Sequence, residues 1–161
     1  MDSIKKFFSV IWFYSCVCFK KYFDFSGRAR RKEYWSFAFF TWAIGNLLAA
    51  AYSLFDFNFI NILSHLYAAF ILIPSLAVAF RRAHDIGYSG AYVVLGYALI
   101  IVATLLGTAI LVGTEAVSFR IFAYALFIFP IAIILAYFYF FTRDSQACEN
   151  KWGANPKELE N

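Results

Sequence analysis

The ten residues Arg81-Arg82-Ala83-His84-Asp85-Ile86-Gly87-Tyr88-Ser89-Gly90 constrain this chain more than any other stretch. They form a polar island between two long apolar runs, 60–80 and 91–112. Ionisable side chains are rare and costly in bilayer hydrocarbon. The island is therefore expected at a membrane surface, joining two spanning helices. Composition supports a membrane setting: 63% of the residues are hydrophobic and only 15% charged. A soluble domain carries about 25% charge.

Two further runs, 34–54 and 121–141, have the same character. About 21 residues of helix reach ~31 Å, enough for one crossing. The chain is predicted to be an all-α integral membrane protein with four transmembrane helices. A shorter apolar run, Phe7 to Phe19, is flanked by Lys5-Lys6 and Lys20-Lys21. Such a run spans only ~20 Å as a helix. Residues 1–23 are therefore expected to form an amphipathic helix lying in the interface. A cleaved signal peptide is the rival reading, but Cys18-Phe19-Lys20-Lys21 is no small-x-small cleavage site. Residues 24–141 then make the membrane domain and 142–161 a polar tail.

Four crossings place both termini and the island on one side. Thirteen of the 14 Lys and Arg fall there, with Arg120 alone opposite. The positive-inside rule makes that side cytoplasmic. The small-x-x-x-small pairs Gly45/Ala49, Ser75/Ala79, Ala103/Gly107 and Ala132/Ala136 offer packing faces within the bundle or in a homo-oligomer.

Two segments carry candidate chemistry. In the island, Arg81 and Arg82 lie four and three residues before Asp85, and share its face if the helix continues that far. His84 is expected to titrate near neutrality. The competing reading is a topology signal plus a helix stop, with Gly87 and Gly90 turning the chain. The second segment offers Arg28, Arg30, Arg31 and Lys32 beside Tyr34 and Trp35, with Gly27 as a turn and Glu33 in the first helical turn. Arginine forks match phosphate oxygens, so this segment suits anionic headgroups. A solvated basic anchor would look the same. Asn61, Ser64 and His65 lie near the start of the second span, and interhelical hydrogen bonding explains them better than an ion path, because no acidic residue lies within any span.

Cys16, Cys18 and Cys148 lack metal-ligand spacing and are expected as free thiols. No His-Glu-x-x-His, Walker loop or Gly-x-Ser-x-Gly occurs. No catalytic residue, metal or cofactor is assigned, and membrane lipid is a nearer phosphate source than nucleic acid.

Three segments together resemble a known family: Phe25 to Trp35 (Gly-Arg-x-x-Arg-x-Glu-aromatic-Trp), the island itself, and Asn150-Lys151-Trp152-Gly153-Ala154-Asn155-Pro156. They are similar to the motifs of the YhaH-like bacterial inner-membrane proteins, domain of unknown function family 805. Ala83 and Ala91 stand where that family usually has Leu and Trp. The resemblance implies a multi-pass protein of the bacterial inner membrane and supplies no activity. It also implies a shared site at the cytoplasmic face, built from Arg28, Arg31, Glu33, Trp35, Arg81, Arg82, His84 and Asp85. In that site Glu33 pairs an island arginine, with Arg82 the one to test, and Asn155-Pro156 folds the tail underneath. The leading function is non-enzymatic binding of anionic lipid headgroups or a cytoplasmic partner. The alternative is a small oligomeric transporter or channel subunit with Asn61, His65 and Pro74 along a path. A lipid enzyme using His84 or Asp85 is the third reading.

Overall fold

In a computed structural model, the described residues form five helices: α1 (Asp2–Lys20), α2 (Arg31–Phe55), α3 (Asn58–Asp85), α4 (Ala91–Gly113) and α5 (Val117–Thr142). The structure describes residues 2–55, 57–113 and 115–158. Met1, Asp56, Thr114 and 159–161, which belong to the predicted first helix, two loops and tail, lie outside the described residues. Helices α2 to α5 are each long and apolar enough to cross a membrane. The protein is an all-helical integral membrane protein with four such spans.

The spans pair as hairpins, α2 with α3 and α4 with α5, while α3 and α4 touch little. Lipid gives helices no hydrophobic reason to associate, so close packing of small residues must supply it. Helix α4 does this with Val93, Gly96, Ala103 and Gly107 buried along one face. The Tyr137 hydroxyl sits 1.7 Å from where a Cβ on Gly96 would lie. There it donates a 2.6 Å hydrogen bond to the Tyr92 carbonyl. Gly107 receives the Phe127 ring in the same way, at 3.0 Å. Of the predicted small pairs, Ala103/Gly107 lies in this seam, whereas Ala132 and Ala136 are exposed. Helix α5 meets α4 with Ala123, Phe127 and Tyr137 instead.

Three boundaries differ most from the sequence expectation. Helix α2 begins at Arg31, three residues before the run at 34, α3 runs five residues past Phe80 to Asp85, and α5 begins at Val117, four residues before the run at 121. The island is thus a final helical turn followed by a short link. Hydropathy marks where a helix leaves hydrocarbon, but backbone hydrogen bonds continue regardless. Gly87 stops α3: it adopts φ +89°, its N–H donates to the His84 carbonyl at 3.1 Å, and the Tyr88 N–H donates to Ala83 at 2.9 Å. This is a Schellman termination, which favours glycine at the left-handed position. Helix α4 starts at once. The Gly90 carbonyl accepts from Val93 and Val94, and the Ser89 hydroxyl accepts from the Ala91 N–H at 3.3 Å. A Cβ on Gly90 would lie 2.2 Å from the Phe80 ring, so α3 and α4 approach closely here.

Helix α1 runs across α2 rather than along it. From Phe7 to Phe19 its ring partners on α2 stay between Phe37 and Phe40. It buries Ile11, Ser15 and Cys18, one helical face, and leaves Ile4, Phe8 and Trp12 about 60% exposed.

Candidate functional site

The last turn of α3 carries Arg81, Arg82, His84 and Asp85, all buried. Arg28, in the connector before α2, is buried as well, at 7% exposure. Buried guanidinium groups are tolerable only when their charge is paired and their N–H groups are satisfied. Here each arginine ties a different chain segment to the end of α3.

Arg81 points toward α1 and α2. Its Nη2 donates to Glu33 Oε1 at 2.9 Å. Its Nη1 donates to the carbonyls of Lys21, at 3.2 Å, and Asp24, just past the end of α1. The Arg81 carbonyl accepts from the Ala29 N–H at 3.0 Å, fixing the connector against α3. Arg82, the next residue and so roughly a quarter-turn away on the helix, points toward α5. It pairs with Asp85 through Nη1 and donates from Nε and Nη2 to the Phe141 carbonyl, with Nη2 also reaching Arg143. These are orphan carbonyls at a helix C-terminus, where a cation also complements the dipole. Trp35 Nε1 donates to the same Phe141 carbonyl at 3.3 Å. The partner of Glu33 is therefore Arg81, not the Arg82 singled out from sequence, because Arg82 faces the other way and already holds Asp85.

Arg28 organises the tail. Nε donates to Asp85 Oδ1 at 3.0 Å. Nη2 reaches the Gln146 carbonyl at 2.6 Å, and Nη1 reaches Cys148 at 3.0 Å and Gly153 at 3.2 Å. Asp85 is thus shared by two arginines, and Ser145 Oγ donates to its Oδ2 at 2.6 Å. The closing motif fixes the rest. Asn150 Nδ2 donates to the His84 carbonyl at 3.0 Å, and its Oδ1 accepts from the Trp152 N–H. Asn155 Nδ2 donates to the Ala147 carbonyl, and its Oδ1 accepts from the Lys157 N–H just after Pro156. Gly27 and Gly153 both adopt positive φ, 74° and 120°. The Gly27 carbonyl lies 3.1 Å from His84 Nδ1. The imidazole stacks on Trp152, with ring centroids 4.5 Å apart and planes 11° apart.

The clasp contains three buried guanidiniums against two buried carboxylates, Glu33 and Asp85. Backbone carbonyls supply the remaining negative partial charge. Arg31 differs: its pair with Asp144, at 3.3 Å, is about half exposed on both sides. Such surface pairs contribute roughly 0–1 kcal/mol. Lys157, also paired with Asp144, is the main cause holding that carboxyl below its ordinary range.

Sequence reasoning missed Cys18, Ser145 and Gln146. The Cys18 Sγ–H lies 3.8 Å from Glu33 Oε1. Burial first, then the Glu33 charge, pushes its thiol up to about 12. The α1 pattern Ile11, Ser15, Cys18 was the available signal for a buried face. The carbonyl partners of the arginines carry no residue signature at all. On α3, His65 is exposed, with Nδ1 2.8 Å from the Asn61 carbonyl of its own helix. Ser64 Oγ likewise donates to Ile60, and Pro74 is buried in the helix.

The family described as protein of unknown function (DUF805) matches residues 22–154. Inner membrane protein YhaI of Escherichia coli (strain K12) is 39% identical over 84 residues, covering 52% of this chain and 69% of that protein. Inner membrane protein YhaH of the same strain is 41% identical over 70 residues, covering 41% and 57%. No solved structure matches the chain.

Proposed function

Since the chain belongs to the DUF805 family of proteins of unknown function, whose similar members are named for the inner membrane alone, we propose a binding role at its basic end. That end faces the cytoplasm and engages anionic lipid headgroups, with no chemistry of its own. The observation that carries this reading is the direction of the charges. The clasp turns Arg28, Arg81 and Arg82 inward, onto the protein's own carbonyls and carboxylates. Lys20, Lys32, Arg143 and Lys151 are left exposed around it. Each such residue adds about 1 kcal/mol of attraction to an anionic leaflet. Helix α1, lying across the bundle with an exposed aromatic face, acts as an interfacial float beside this rim.

The test is the lipid that co-purifies with the full chain in mild detergent. Enrichment of phosphatidylglycerol and cardiolipin over the bulk membrane is expected. It should fall in a Lys20→Gln/Lys32→Gln/Lys151→Gln variant. A bulk-like lipid composition that the variant leaves unchanged would refute the reading and favour a protein partner.

A further inference from the structure

We propose that the hollow between α1, the connector and the tail is a discrete site for a phosphate ester, filled in the membrane by one anionic phospholipid headgroup. This rests on the reading above that the basic end meets anionic lipid. It goes further by assigning one stoichiometric site rather than a diffuse field.

The hollow has a volume of about 430 Å³, within the range of small-ligand sites. Its walls differ in character. On one side stand Phe13, Tyr14 and Val17 of α1, and on the other Trp152 and Pro156 of the tail. Lys21 and Arg30 supply positive charge to its lining. Arg28 and Glu33 of the clasp line it too, and the clasp as a whole has one more guanidinium than carboxylate. A net positive charge in a buried setting is poorly screened, so an anion placed beside it is stabilised more than at an open surface. Arg81 fixes two residues of the lining in place: its Nη groups hold the Lys21 carbonyl and the Glu33 carboxylate.

Position selects a lipid among phosphate esters. The hollow lies level with Gly27 to Glu33, where α2 emerges, so it sits at headgroup depth. Phe13, about 60% exposed, stands on α1 at the wall of the hollow. An acyl chain can lie along this ring and Val17 while the phosphate reaches Lys21 and Arg30.

The experiment is native mass spectrometry of the full chain in mild detergent, titrated with phosphatidylglycerol, with phosphatidylcholine, and separately with glycerol phosphate. Four proteins are compared: wild type, Lys21→Gln/Arg30→Gln, Val17→Trp, and the rim variant Lys20→Gln/Lys32→Gln/Lys151→Gln. Thermal unfolding confirms that each is folded. Val17→Trp fills the hollow while leaving every charge in place. One phosphatidylglycerol per chain is expected on wild type, at least tenfold weaker in Lys21→Gln/Arg30→Gln and in Val17→Trp, and little changed in the rim variant. Loss in the rim variant alone would overturn the discrete site but keep the broader reading. Equal retention of phosphatidylglycerol and phosphatidylcholine by wild type would overturn both. Tight binding of glycerol phosphate without lipid would overturn the lipid as occupant.

Discussion

Replacing Asp85 with Asn should release the tail from the bundle. The change keeps the side-chain shape, removes the charge and turns one of the two acceptor oxygens into a donor. Asp85 is 0% exposed and is shared by Arg28 Nε, at 3.0 Å, and Arg82 Nη1. Removing it leaves three buried cations facing Glu33 alone. Removing one partner from a buried pair costs about 3–5 kcal/mol, and each 1.4 kcal/mol is tenfold in an equilibrium. The open state of the tail should therefore become roughly a hundred- to a few-thousand-fold more populated. Native-state trypsin digestion reads this population, because cleavage follows the open fraction when reclosing is fast. The useful sites are Lys151 and Lys157, on the strapped segment. Asp144→Asn is the control. Its pairs with Arg31 and Lys157 are largely exposed, each worth at most about 1 kcal/mol, so roughly thirtyfold is the most that losing both should change. If Asp85→Asn and Asp144→Asn accelerate cleavage equally, or neither does, the clasp does not hold the tail.

Arg28→Lys keeps a positive charge but cannot span the carbonyls of Gln146, Cys148 and Gly153 together with Asp85. It should free the same tail fragment to trypsin at a cost of about 2–3 kcal/mol, while helix content by circular dichroism stays unchanged. Cysteine labelling tests the orientation. In a Cys16→Ala background, a membrane-impermeant maleimide outside spheroplasts should miss the exposed Cys148 and label it after permeabilisation; labelling from outside would invert the topology. Cys18, 1% exposed and with its thiol pushed up to about 12, should stay unlabelled at neutral pH until the protein unfolds. Gly96→Ala places a Cβ where the Tyr137 hydroxyl lies, so the Tyr137–Tyr92 hydrogen bond should be lost and the melting temperature in detergent lowered, by an overpacking cost of about 1–3 kcal/mol. A Tyr137→Phe/Gly96→Ala double variant should recover part of that loss.

The four spans were legible because a bilayer imposes a length on any crossing apolar run, and four runs in this chain meet it while Phe7 to Phe19 falls short. What the runs could not show was where a helix stops after leaving the hydrocarbon. Arg81 to Asp85 continue α3 because partners arrive from distant sequence: Glu33, Arg28, Phe141 and Ser145. The charged island positions Arg81, Arg82 and Asp85 were legible too, since ionisable residues between two apolar runs stand out. Their pairing was not. Adjacent residues on a helix point about 100° apart, so Arg81 and Arg82 cannot serve the same partner, and only the arrangement of α1, α2 and α5 around α3 decides which one takes Glu33.

The same geometry explains why arginine, and not lysine, occupies these positions. Arg81 reaches the end of α1, Arg82 the end of α5, and Arg28 the tail, and in each case backbone carbonyls are held beside a carboxylate. Chain ends leave carbonyls without partners, and a rigid fork with five donors satisfies several at once. The end of α3 is therefore a junction where three separate chain segments are terminated and fixed by the residues that end the helix. Such a junction needs its charges inward. On the proposed reading, binding to anything outside falls to the basic side chains and aromatic rings around it, and the residues most conspicuous in the sequence are the ones that hold those groups in place.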